Sequence, residues 1–243
     1  MANVKRLNQR HFDAIRKCTI LSESFGYAEG SVLIAMGNTK VLCNVSVTDS
    51  VPRFLKDKGT GWLTAEYAML PRATHTRSDR ESAKGKQQSR SIEIQRLIGR
   101  ALRQSIDLKA LGERTIQVDC DVLQADGGTR VAAINGAMVA IILAIRKLQY
   151  EKILNVDPFK NLITAISLGR KDGQILLDLD YEEDSSMDVD LNLIVNEKDE
   201  IIEIQGTAEH APLPLEEMVK MVEIGLHGIG EIRTIQKNIL DMA

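Results

Sequence analysis

Three groups of residues have the types and spacing for phosphate chemistry. The first is Gly127-Gly128-Thr129-Arg130, inside "QADGGTRVAAING" at 124–136, between an alternating apolar stretch and a long Ala/Ile-rich one. Glycine lets a backbone turn sharply and approach a ligand closely. A helix N-terminus adds free N–H groups and partial positive charge, which favour an anion. Thr129 supplies a hydroxyl, and Arg130 a planar fork matched to phosphate oxygens. The Walker lysine is absent. A bare strand-to-helix turn with a solvent-facing arginine suits the same four residues, and a short glycine motif does not separate the two readings. The second group is Arg90, with Lys86 close by, in "GKQQSRSIEIQR". Arg90 sits just before a helix, where an anion binds; a solubilising basic loop end fits it equally. The third group is Asp178, Asp180, Glu182, Glu183, Asp184, Asp188 and Asp190 in "DLDYEEDSSMDVDLN". Crowded carboxylates suit Mg²⁺, a hard cation that prefers carboxylate oxygens and water. They also suit a hairpin edge protected by charge, and spacing alone does not rank them.

These groups need elements to hold them. "SVLIAM", a Gly-Asn turn and "TKVLCNVSV" predict a hairpin over 31–36 and 39–47. Residues 53–90 are basic, carry Gly59, Gly61, Pro71 and Gly85, and show little periodicity, which predicts a long functional loop. Ile94, Leu97, Ile98, Ala101 and Leu102 share one face of a helix over 91–107, with Ser89 or Ser91 as its N-cap. Alternation of Ile116, Val118, Cys120 and Val122 predicts a strand over 115–123, and a core helix follows from about Thr129 to Leu148. In the second half, "LITAISLGR" with "QILLDLDY", and "DVDLNLIV" with "IIEIQ", predict two hairpins. If 188–193 is a strand, Asp188 and Asp190 share one face and Val189, Leu191 and Leu193 the buried other. A closing helix runs over 215–240 with a break near Gly225–Gly230. Strands precede helices instead of alternating with them, so the class is α+β. With no linker, residues 1–243 read as a single catalytic domain.

Composition bounds the function. The chain has 243 residues, 44% hydrophobic and 27% charged, as in a globular protein. Cys18, Cys43 and Cys120 are odd in number and unpaired by spacing, and the opening residues are polar with no apolar secretory core; both fit a reducing cytoplasm. No stretch approaches the unbroken apolar length of a membrane span. The four histidines lack metal-ligand spacing. A net charge of −3 argues against a nucleic-acid partner, but it averages two opposite segments. Residues 53–103 hold 12 Lys/Arg against 5 Asp/Glu, whereas 171–205 hold 2 Lys against 12 Asp/Glu. The first can attract a polyanion and the second a divalent metal.

At this level of detail the sequence resembles bacterial ribonuclease PH. The resemblance rests on "GWLTAEYAMLPRATHTRSDRE", "GKQQSRSIEIQRLIGRALR", "LKALGERTIQVDCDVLQADGGTR", "DLDYEEDSSMDVDLN" and "IQGTAEHAPL", from about Gly30 to the C-terminal helix. It implies a fold like domain 2 of ribosomal protein S5 and a homohexameric ring, a trimer of dimers. It also implies a phosphorolytic 3′→5′ exoribonuclease, a tRNA nucleotidyltransferase. Such an enzyme trims tRNA precursors and other structured RNA, including rRNA, with inorganic phosphate. It releases nucleoside diphosphates and can run in reverse.

Carried over by position, Arg90 and the Gly128-Thr129-Arg130 segment would bind phosphate. Asp184 and Asp190 would be the catalytic, Mg²⁺-associated aspartates, and Arg72, Arg77 and Arg80 would contact tRNA. The sequence departs from the family in three places. "RLNQRHFDAIRK" keeps Arg10, Asp13 and Arg16 but loses a usual Pro and Gly; His210 replaces a glycine; Val131 and Asn135 replace small polar residues. Two rival readings are a non-catalytic RNA-binding ring subunit and a structural oligomer with a Mg²⁺ site. With 4% aromatic residues, recognition of backbone and chain end is expected more than base stacking.

Overall fold

The alternating apolar stretches pair into two sheets with one long helix between them, in a computed structural model that describes Arg6, residues 9–22 and residues 26–242. The polar opening at 1–5 lies outside the described residues. The first sheet contains β1 (Cys18–Ser22), β2 (Gly30–Met36), β3 (Thr39–Thr48), β4 (Trp62–Met69) and β5 (Thr115–Gln124), in the order β1-β2-β3-β5-β4. The expected hairpin is β2–β3, in register from Gly30↔Val45 to Met36↔Thr39. β4 runs parallel to β5, and the crossover between them carries α1 (Ser89–Leu102) and the one-turn α2 (Leu108–Leu111). The second sheet is antiparallel: β6 (Thr164–Lys171), β7 (Gln174–Leu177), β8 (Val189–Val195) and β9 (Ile201–Ala208), in the order β7-β6-β8-β9.

α3 (Thr129–Tyr150) is the centre of the core. Nearly all its apolar residues are buried, on every side, and the helix packs against β2, β3 and β6. By length and composition it could cross a membrane, which corrects the sequence reading, but most of it is buried inside the fold. Asn135 joins it to the second sheet. The Asn135 Nδ2 donates to the Ala165 carbonyl at 2.8 Å, and the Ala165 N–H donates back to Oδ1 at 2.8 Å. Ala165 lies beyond the part of β6 that pairs with β7, so this side chain satisfies a strand edge that would otherwise be buried unpaired.

Four expectations need correction. The 53–90 segment contains strand β4, which places Leu63, Ala65 and Tyr67 in the core. Neither Ser89 nor Ser91 caps α1: Gln88 is the N-cap, and the Glu81 carboxylate takes the Gln88 N–H at 3.2 Å and the Ser91 hydroxyl at 2.5 Å. The segment after β7 leaves the sheet at Asp178, where φ is +52°. The last helix, α5 (Leu215–Met242), is unbroken. Its glycines serve contact, since a Cβ on Gly225 would lie 2.8 Å from Leu193 Cδ2 and one on Gly228 2.6 Å from Ile166 Cδ1.

Candidate active site

β5 ends in the turn that starts α3, and this turn needs its glycines. Gly127 and Gly128 adopt φ of +72° and +65°, a conformation that costs other residues steric strain. A Cβ on Gly127 would come within 2.5 Å of the Leu179 carbonyl oxygen. The turn therefore packs directly on the acidic segment of the second sheet. Gly128 is the N-cap of α3 and offers the first-turn N–H groups no side chain. These donors face a cavity of about 400 Å³ lined by Arg90, Gly128, Thr129, Arg130, Asp184 and Asp190, among others. Six residues expected at the site, from four separate elements or turns, thus share one cavity.

Their surroundings differentiate them. Arg90 lies in the first turn of α1 and not before the helix as expected; its side chain is exposed and makes no hydrogen bond or ion pair with another described residue. Arg130 uses Nη1 on Gln205 and Glu93, and Gln205 in turn donates to Glu93 at 2.8 Å. That leaves Nε and Nη2 without a bond among the described residues. The Thr129 hydroxyl is buried and shares a 2.8 Å hydrogen bond with the Tyr67 hydroxyl, whose pKa burial pushes up. Burial raises the Asp184 carboxyl above its ordinary value, with Asp190 adding to it and Arg90 and Arg130 opposing. Burial also raises Asp190, with Glu209 adding and Arg130 opposing.

The crowded carboxylates are now separated by role. Asp180 caps α4 (Tyr181–Asp184) in a capping box: its carboxylate accepts the Glu183 N–H at 2.9 Å, and the Glu183 carboxylate accepts the Asp180 N–H at 3.2 Å. Glu183 accepts a bidentate pair from Arg6, at 2.8 Å from both Nε and Nη2, and a third bond from Arg10 at 3.0 Å. Burial pushes the Glu183 carboxyl up, but hydrogen bonding and charge from Arg6 bring it below its usual range. Asp178, fully buried, is gripped by Arg16 at 3.0 Å (Nε) and 2.7 Å (Nη2). The same guanidinium donates to the Asp126 carbonyl at 2.5 Å, so one side chain ties the glycine turn to the acidic segment. Asp188 is not on the site: its Oδ2 takes the Asp172 N–H at 3.0 Å, and the strand begins only at Val189. Glu182 is exposed and does not line the cavity, so Asp184 and Asp190 remain for chemistry.

Apart from Asp190, sequence reasoning missed the floor of the cavity. Ser167, Asn192 and Gln205 lie opposite one another across β6, β8 and β9, and Gly169, Asp190 and Thr207 form the next row. All but Gly169 line the cavity. Polar positions do interrupt these apolar strands, but only the cross-strand register aligns them into a floor. A second lobe of about 350 Å³ shares Arg90, Gly128, Thr129 and Asp184 and adds Thr74, His75, Thr76 and Tyr181. Lys86 does not join the phosphate-like cavity. With Arg80 it lines a separate one over Glu66, Asp119 and Asp121 on the outer face of the first sheet. Arg72, Arg77 and Arg80 are exposed on the loop after β4; Arg72 donates to the His75 carbonyl at 3.2 Å and Arg77 pairs with Asp79 at 3.3 Å. His210 is exposed outside the cavity.

The donor set fits a divalent cation. Asp190 Oδ1 is buried and lacks a hydrogen-bond partner. Among the described residues no cluster of three or more His, Cys, Asp or Glu is arranged for a metal, so the protein could offer two carboxylates. That is the usual provision for Mg²⁺, which keeps waters and takes substrate phosphate oxygens. All three cysteines are free, as expected.

The model of the 3′ exoribonuclease family, domain 1, matches residues 14–146, and domain 2 of the same family matches 161–228. Rice (Oryza sativa) Rrp46 superposes with a TM-score of 0.78 at 21% identity, over 97% of this chain and 100% of that one. A chain of the Archaeoglobus fulgidus exosome with RNA bound to the active site gives 0.79 at 22%, over 95% and 92%. An archaeal exosome core gives 0.75 at 22%, over 96% and 91%. At these identities the structures show a shared fold.

Proposed function

The chain belongs to the 3′ exoribonuclease family, and we propose that it is a phosphorolytic member, removing 3′-terminal nucleotides from RNA with inorganic phosphate. The observation that supports this most is the placement of Arg90, unpaired among the described residues, and the bare N-terminus of α3 with Asp184 and Asp190 across one cavity. A hydrolytic nuclease needs only the carboxylate side. Cationic donors for a second, free anion are explained if phosphate is the attacking reagent.

In this reading Arg90, Arg130 and the first N–H groups of α3 hold inorganic phosphate and offset its repulsion from the RNA end. An oxygen of that phosphate attacks the phosphorus of the last phosphodiester. The bond to the 3′-oxygen of the penultimate ribose breaks, leaving shortened RNA and a nucleoside diphosphate. Asp184, whose carboxyl is raised above its ordinary value, is placed to deliver a proton to that leaving oxygen, directly or through a water. Asp184 and Asp190 would also hold Mg²⁺, which when bound supplies positive charge at the scissile phosphate. The basic loop with Arg72, Arg77 and Arg80 guides the RNA backbone. tRNA precursors are the proposed substrate, in the cytoplasm, and a homohexamer of one-domain subunits the proposed assembly; the RNA-bound Archaeoglobus relative supports RNA as partner of this fold.

The test is incubation of a 3′-extended tRNA with the protein and Mg²⁺, with and without phosphate. Nucleoside diphosphates should form only with phosphate. Nucleoside monophosphates formed regardless of phosphate would show a hydrolytic enzyme instead.

A further inference from the structure

Ser167 stands out among the buried hydroxyls. Ser31, Thr39, Ser91, Ser105, Thr129 and Thr164 each have a hydrogen-bond partner. Ser167 is only 6% exposed and its Oγ has none. A buried hydroxyl left without a partner is a standing cost to the folded chain, and such groups are uncommon unless something else satisfies them.

Its position indicates what that is. Ser167 lies on the cavity floor beside the first turn of α3: a Cβ placed on Gly128 would be 3.6 Å from Ser167 Oγ. Gly128 therefore leaves open the space between the hydroxyl and the helix N-terminus. Around it are donors and positive charge, from α3, Arg90 and Arg130. The other unsatisfied atom of the floor, Asp190 Oδ1, is one row further along the sheet and does not pair with Ser167. The floor thus presents an uncharged row (Ser167, Asn192, Gln205) that begins beneath the helix N-terminus, and a next row that carries the Asp190 carboxylate. The first suits an anion and the second a cation.

We propose that Ser167 is a phosphate ligand, its Oγ–H donating to an oxygen of a tetrahedral phosphate seated at the N-terminus of α3. The inference rests on the phosphorolytic reading and extends it to a residue of the second sheet. Such a phosphate could be the free attacking group or the scissile group of the RNA. The position under α3 selects the free one.

The experiment uses the full chain with Mg²⁺ and a 3′-extended RNA, with phosphate and RNA varied separately. Ser167→Ala should raise KM for inorganic phosphate by roughly tenfold, as expected for loss of a hydrogen bond to a charged group. KM for RNA should be unchanged. Without RNA, the rise in Tm produced by inorganic phosphate should shrink in Ser167→Ala, while Tm without phosphate is no lower than in the wild type. An unchanged phosphate KM, or an increase confined to KM for RNA, overturns the proposal. Failure of the wild type to release nucleoside diphosphates sinks the phosphorolytic reading instead. In that event an equal phosphate-induced Tm rise in both proteins would overturn the Ser167 assignment as well.

Discussion

Replacing Arg16 by Met should unlatch the site from the N-terminal segment. Arg16 is 8% exposed and Asp178 0%, and their bidentate pair is supported by the Arg16 N–H on Asp178 Oδ2 at 2.6 Å. Removing one partner of a buried pair strands the other charge, at a typical cost of about 3–5 kcal/mol. Here the lower end applies, because Arg10 still lies 3.5 Å from Asp178 and the backbone N–H at position 16 remains. A loss of about 3 kcal/mol lowers the urea midpoint by roughly 1 M at a slope near 3 kcal/mol/M. Asp178→Asn provides the control, since Asn tolerates the positive φ of +52° at that position. In the double variant no charge is stranded, so its cost should fall short of the sum of the singles by roughly 1 kcal/mol or more. Equilibrium urea unfolding of all four proteins gives the cycle. A single-variant cost below about 1 kcal/mol, or strict additivity, would refute the clamp.

Other outcomes follow from the same geometry. Asp190→Asn should abolish trimming yet raise Tm at neutral pH in the absence of divalent cations. The Asp190 pKa is raised on folding, so the folded state holds this proton more tightly and stability falls as pH rises from the ordinary carboxylate value through the folded one. Below pH of about 4 the gain should vanish, as calorimetry at the two pH values will show. Glu183 has the opposite sign: its carboxyl is held low by Arg6, so the stability it contributes is present above its unfolded pKa and is lost on acidification, a loss that Glu183→Gln should lack. Gly127→Ala should cost more than about 2 kcal/mol, because strain at φ +72° adds to a clash with Leu179. Gly85→Ala, at φ +62° with nothing within 4 Å, should show the strain alone. Replacing Arg72, Arg77 and Arg80 by Ala should weaken RNA binding and reduce its log–log salt slope by about 0.7 for each RNA phosphate that the loop no longer neutralises, with phosphate KM unchanged.

The parts of this site that could be read from sequence are those whose signal is local. The glycine turn, the strand before it and the apolar helix after it follow from periodicity, and Arg90 is read from its place at the start of a helical pattern, although it lies within the first turn of α1 and not ahead of it. β4 was hidden because its outward positions include Trp62 and Ala68 and its inward ones the small Ala65, which blurs the alternation of an edge strand. The carboxylates could not be ranked because their fates depend on arginines more than 160 residues away. Arg6 and Arg16 occupy Glu183 and Asp178, and no spacing within 178–190 reveals that. Arg10 and Arg16 were visible as retained positions of an altered N-terminal stretch, but their target was not. Ser167 was invisible for another reason: a serine in an apolar strand acquires meaning only when its neighbours across the sheet and the absence of a partner are known.

The central claim is that inorganic phosphate, rather than water, attacks the RNA. Incubating unlabelled 3′-extended RNA with the protein, Mg²⁺ and ³²P-labelled inorganic phosphate tests it most directly. The account predicts nucleoside diphosphates that carry the label in the β-phosphate, with one label for each nucleotide released. Release of unlabelled nucleoside monophosphates would contradict it.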